Sequence, residues 1–120
     1  MAVVVVDDDP AIRALLTAVL RAGGHDVRAA DGAGQAVRMI RERVPAVIIM
    51  DAVMPGRNGF ALCREIRSWD LPVQPRMVLL TGLDQVEPKE AADAGFDRVL
   101  VKVVSPHQVL ACVAELAAGR

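Results

Sequence analysis

Aromatic side chains are nearly missing from this sequence: two Phe, one Trp and no Tyr make up 2% of 120 residues. A core must therefore be assembled from Val, Leu, Ile, Ala and Met, within an apolar content of 53%. That palette suits a parallel sheet buried under helices on both faces. Cysteine is almost as scarce. Cys63 and Cys112 have no Cys or His partner at the spacing a zinc site requires, and each reads as a small core hydrophobe. An excess of one charge is also lacking: 14 basic against 15 acidic residues leave a formal net charge of -1, which disfavours nucleic acid or an anionic membrane surface as a partner. No apolar run approaches the length of a membrane span, and the opening MAVVVVDDD has no basic region ahead of its short apolar run, so neither a signal peptide nor a membrane anchor is expected and the cytoplasm is the expected location. Linkers, repeats and low-complexity segments are absent, and one domain over 1–120 is the expectation.

What is present is an alternation. Short apolar runs and stretches of helical period follow each other five times, the arithmetic of repeated strand-helix units around a parallel sheet. Val3 to Val6 is a β-branched run; after Pro10, Ile12, Leu15, Leu16, Val19 and Leu20 recur at helix spacing until Gly23-Gly24. A second strand is expected over Asp26 to Ala30 and a second helix around Ala36, Val37 and Ile40, ended by Val44-Pro45. Ala46 to Met50 is apolar throughout, as a central strand covered on both faces should be, and delivers Asp51 to its carboxyl end. Pro55, Gly56 and Gly59 make a loop, and a third helix follows through Phe60, Cys63 and Ile66. Met77 to Leu80 ends in Thr81-Gly82. In the region Asp84 to Ala94, Pro88 limits a helix to a start near itself. Val99 to Val101 ends at Lys102, and Ser105-Pro106 opens a last helix with Val109, Leu110, Val113 and Leu116 inward.

Four strand ends thus carry polar groups: Asp7-Asp8-Asp9, Asp51, Thr81 and Lys102. Each could simply end a strand and start a turn. In an open α/β sheet, however, ligands bind outside the carboxyl ends of the strands where strand order reverses, and neighbouring strands would make the four converge. Clustered carboxylates repel one another and persist where a hard divalent cation neutralises them. Mg²⁺ fits such an all-oxygen site, Lys102 supplies a point charge for an acidic or phosphoryl oxygen, and Thr81 a hydroxyl. A carboxylate nucleophile, a metal and a cation are what phosphoryl transfer to Asp requires.

At these residues the whole chain resembles a response-regulator receiver domain of two-component signalling. VVVVDDDPAIR resembles the family's opening strand and acidic pair, IIMDAVMPGRNGF its phosphorylation strand and Met-Pro-x-x-x-Gly loop, VLLTG its Thr strand and VLVK its Lys strand. The resemblance implies an α/β fold in three layers, a doubly wound five-stranded parallel sheet of order 2-1-3-4-5 with about five helices. It implies that Asp51 is the phosphoacceptor, and that Asp7 and Asp8 are the acidic pair holding Mg²⁺, Asp8 directly and Asp7 largely through water. The backbone carbonyl of Val53 would join Asp51 in completing the protein's ligands. Thr81 and Lys102 would contact the phosphoryl group, with Gly82 leaving room for it. Asp9 falls outside the pair. The implied partner is a sensor histidine kinase or a histidine phosphotransfer protein. Phosphorylation would shift a pre-existing equilibrium on a face that here holds Val86, Pro88, Ala91, Ala92, Val99 and Val103.

Two positions depart from the family pattern. Val103 follows Lys102 where the family usually has a cis Pro, a bond that costs about 3 kcal/mol without proline. Val99 stands where many members carry an aromatic ring that swings on activation. One competing reading is a docking module that takes no phosphate. The other is a small phosphatase of the haloacid-dehalogenase type, with Asp7 as nucleophile and Asp9 as acid; Ala11 in place of Thr or Val, and the lack of an acidic pair after the fourth strand, count against it. Met54-Pro55 and Asn58-Gly59 read as turn-shaping residues, His25 and His107 as surface residues, and Trp69 as a cap on the core.

Overall fold

The computed structural model describes residues 1–54, 57–82, 87–102 and 104–119. The chain alternates β1 (Ala2–Val6), α1 (Pro10–Ala22), β2 (Asp26–Ala30), α2 (Ala33–Glu42), β3 (Val47–Asp51), α3 (Gly59–Ser68), β4 (Arg76–Thr81), α4 (Pro88–Ala94), β5 (Arg98–Val101) and α5 (Pro106–Ala117). All strand pairings are parallel, in the order β2-β1-β3-β4-β5. The expected α/β class and strand order are what the molecule has.

The strands' period of two divides the core into two halves. Val4, Val6, Ile48, Met50, Met77 and Leu79 face one layer, formed by α2, α3 and α4. Val3, Val5, Val47, Ile49, Val78 and Leu80 face the other, formed by α1 and α5. Both faces of β1 and β3 are therefore covered, so a run such as Val47-Ile48-Ile49-Met50 can be apolar without a break. The helix starts are written locally. Asp9 caps α1 by accepting from the N–H groups of Ala11 and Ile12, Pro10 follows it, and Ser105 and Gln108 form a reciprocal capping box at α5.

Several boundaries and faces differ from expectation. Ala46 lies before β3 and is exposed, its N–H bonding Ala2 O, while Asp51 is itself the last residue of that strand. Leu15 is half exposed because it sits about 100° from the Leu16–Leu20 stripe that meets the sheet. In α5, Cys112 takes the inward place and Leu110 stays half-buried. The helix expected in Asp84 to Ala94 is described only from Pro88; Asp84 and Val86, like Pro55, Gly56 and Val103, lie outside the described residues. His25 is not fully exposed. It is half-buried, its Nδ1 is shielded without a hydrogen-bond partner, and burial pulls its pKa down. Trp69 does cap the core at the end of α3, and the Arg41 guanidinium lies 4.2 Å above its ring, a cation–π contact that spacing alone does not reveal. Among the described residues no helix is long and apolar enough to cross a membrane.

Both cysteines are buried, and burial pushes the Cys63 thiol up to about 11 and the Cys112 thiol up as well. Since the thiolate is the reactive form, the folded chain should react slowly with Ellman's reagent at pH 8, and both thiols should titrate at once in guanidinium. Rapid native reaction of Cys63 would show that α3 opens readily.

Candidate functional site

The parallel sheet brings the carboxyl ends of all five strands to one edge, and the polar groups named from the sequence sit there. Asp7 follows β1 directly and continues its ladder, donating its N–H to Ala30 O at 3.2 Å. Its side chain is buried, whereas Asp8 is exposed. Asp51 closes β3 opposite Leu80, one residue short of Thr81, which is buried at the end of β4. Lys102 follows β5 and donates its backbone N–H to Thr81 O at 2.7 Å.

One oxygen from each of Asp7, Asp8 and Asp51 lies within 4.8 Å of the others. Lys102 Nζ stands between two of them, donating to Asp51 Oδ2 at 3.1 Å and lying 3.3 Å from Asp7 Oδ2. The second approach gives charge attraction without the alignment of a hydrogen bond, so Asp7 Oδ2 is buried and lacks a hydrogen-bond partner. Asp7 Oδ1 accepts the Asp9 N–H at 2.9 Å. Burial raises the Asp7 pKa against the pull of that N–H. The Asp51 charge raises it further, and Lys102 relieves it in part. Burial alone would lower the Lys102 pKa, but its hydrogen bond and charge contact with Asp51, and the proximity of Asp7, hold it above the ordinary lysine value. A cluster with more buried negative charge than one ammonium neutralises, made of oxygen donors only and containing an oxygen with no hydrogen bond, fits a hard divalent cation.

The remaining expected residues fall into separate places. Asp9 stands apart from the cluster because its carboxylate caps α1, which occupies the group that the phosphatase reading needs as an acid. Val53 turns its side chain to solvent and donates its N–H to Asp51 Oδ1 at 3.3 Å; the role of its carbonyl remains what the family resemblance implies. Gly82 is exposed at the edge, and Met54 is packed into the core.

Two residues position the site through contacts that the sequence reading did not give. Arg13 Nη1 donates to Asp7 O at 2.9 Å and tethers the acidic loop to the first turns of α1. Gly59 begins α3, where Asn58 caps the helix by accepting the Ala61 N–H, and Gly59 N–H bonds Ala52 O at 2.9 Å. A Cβ on Gly59 would overlap the Asp51 carbonyl oxygen. Asn-Gly signalled a turn, but not that a helix end rests on the peptide of Asp51.

Comparison with known proteins places the chain in a family. The profile of the response regulator receiver domain family matches residues 3–114, and the chain belongs to that family. It is a signalling domain of two-component systems, not a classical enzyme, and the family's signalling is phosphorylation-based. The DNA-binding response regulator MtrA of Mycolicibacterium smegmatis is 34% identical over 111 residues, 92% of this chain and 48% of that protein. The chain thus spans about half the length of the curated relatives it matches. Among solved structures, the chemotaxis response regulator CheY4 of Vibrio cholerae superposes with a TM-score of 0.89 at 26% identity, covering 96% of this chain and 97% of that one. The Francisella response regulator 1452 receiver domain gives 0.90 at 27%, covering 98% and 97%.

Gly59→Ala should push α3 away from Asp51. It is expected to cost roughly 1–3 kcal/mol, the usual range for overpacking, read as a lower melting temperature in a circular-dichroism melt. An unchanged melt would mean that the β3–α3 turn is soft enough to absorb a methyl group.

Proposed function

We propose that residues 1–120 work as one receiver unit: a Mg²⁺-dependent switch in which Asp51 accepts a phosphoryl group from a phosphohistidine on a sensor histidine kinase or phosphotransfer protein. The observation that carries this reading is the placement of Lys102 Nζ against Asp51 Oδ2, beside three converging carboxylates. Asp7, Asp8 and Asp51, with the Val53 carbonyl, would hold Mg²⁺. When bound, the ion would offset the charge of the carboxylates and of the phosphoryl oxygens that must approach them.

The chain's own groups supply the rest. One Asp51 oxygen attacks phosphorus; the O–P bond forms as the N–P bond of phosphohistidine breaks, and its electron pair leaves on the imidazole nitrogen. Lys102, held charged by its carboxylate neighbours, steadies the Asp51 carboxylate before transfer and can turn to a phosphoryl oxygen afterwards. Val53 N–H orients the other Asp51 oxygen. Thr81, buried one position beyond the residue opposite Asp51, offers its hydroxyl to the transferred group, and Gly82 leaves the entrance open. The chain would thus catalyse only its own phosphorylation and dephosphorylation, in the cytoplasm. The MtrA relatives are named as DNA-binding, but a formal net charge of -1 gives residues 1–120 no excess of positive charge for such a contact.

Intact mass after incubation with acetyl phosphate tests the assignment. One added phosphoryl group is expected with Mg²⁺, none with chelator, and none in Asp51→Asn, which should remain folded. Labelling of Asp51→Asn would overturn the site, and failure of the unmutated chain with a phosphohistidine donor as well would favour the docking module. The raised Asp7 pKa has its own consequence. A cation must displace the proton that Asp7 holds more tightly than an ordinary carboxyl, so Mg²⁺ affinity should fall as pH drops through that raised value and level off above it. Calorimetric titration from pH 8 down into the ordinary carboxylate range reads this, and an affinity that begins to fall only within that range would remove Asp7 from the ligands.

A further inference from the structure

α4 is the shortest helix among the described residues. It has seven residues, its N-cap Glu87 makes no side-chain hydrogen bond to the helix, and only Ala91 and Ala94 are buried. Its carboxyl end is held differently. Gly95 adopts φ 108, a conformation open to glycine, and its carbonyl accepts two N–H groups of Arg67, from Nε at 3.0 Å and Nη2 at 2.7 Å. A Cβ on Gly95 would press into the Arg67 side chain. The same guanidinium donates to Pro75 O at 2.6 Å and to Asp97 Oδ2 at 3.0 Å, and Asp97 Oδ2 in turn accepts the Met77 N–H at 2.8 Å. Arg67 therefore joins the end of α4, the approach to β5 and the start of β4 through one planar group, a geometry that an ammonium cannot reproduce.

Arg67 lies in the last turn of α3, and the first residue of α3 is Gly59, seated on the Asp51–Ala52 peptide. One ten-residue helix thus has the phosphoacceptor at its amino end and the anchor of α4 at its carboxyl end. Val99, half-buried in the same layer, offers no aromatic ring as an alternative linkage.

We propose that Arg67 is a latch that ties α4 to the helix seated on Asp51, so that phosphorylation loosens α4 by displacing α3. A short helix with little buried surface has low local stability, and the bonds at its carboxyl end then set how often it opens. The link from Asp51 to α4 rests on the phosphoacceptor role proposed above; the hold of Arg67 on α4 does not.

Hydrogen exchange read by mass spectrometry on the full chain separates the two parts. In the resting state, Arg67→Lys and Arg67→Gln should raise exchange in residues 88–95 on the order of tenfold, the loss expected for a charge-assisted hydrogen bond, with β1 and β3 unchanged. Equal α4 exchange in variant and unmutated chains would overturn the latch. So would a uniform rise that includes β1 and β3, which marks global destabilisation. After acetyl phosphate and Mg²⁺, with the added mass verified, the unmutated chain should show faster α4 exchange and the variants little further gain. An equal fold-increase in all three would overturn the link to Asp51. If no phosphoryl mass is gained, the phosphoacceptor reading fails, and the resting comparison still decides the latch.

Discussion

The structure is organised around buried negative charge at one edge of a parallel sheet. Asp7 and Asp51 end adjacent strands, so the register that makes the core also forces their carboxylates together with that of Asp8. A single ammonium, Lys102, answers them. Repulsion between carboxylates in a poorly solvated place is costly, and the surrounding structure reduces that cost in parts: an N–H from Asp9 to one oxygen of Asp7, an N–H from Val53 to one of Asp51, and Nζ between the two side chains. The remaining deficit of positive charge is what the proposed divalent cation would offset.

That deficit must be held in place by backbone. Arg13 grips the carbonyl of Asp7 from α1, Asp9 caps the same helix, and Gly59 lets α3 sit against the peptide of Asp51. Each support is a helix start pressed toward a strand end, so α1 and α3 are braces for the carboxylates as well as lids on the core. α4 is held elsewhere. It is short and rich in alanine, and Arg67 holds its carboxyl end.

Much of this was legible in the residues. Alternation of apolar runs with helical stripes gave the class, and Asp7, Asp8, Asp51, Thr81 and Lys102 stood out as polar groups at strand ends. The misplaced details were those that depend on neighbours. Leu15 and Leu110 are as apolar as their neighbours, yet one is exposed and the other only half-buried, because the sheet meets a narrow stripe of each helix. His25 looked like a surface residue, yet its Nδ1 is shielded from solvent.

By itself the sequence determined the periodicity, the helix caps and which chemical groups end each strand, because these are local properties of neighbouring residues. Only the tertiary structure decided that three carboxylates share one space with one ammonium, that Asp9 serves a helix instead of the cluster, and that Gly59 and Arg67 occupy opposite ends of one brace. Those facts depend on distances between residues far apart along the chain, and such distances arise when the parallel register and the packing of helices on the sheet are set together.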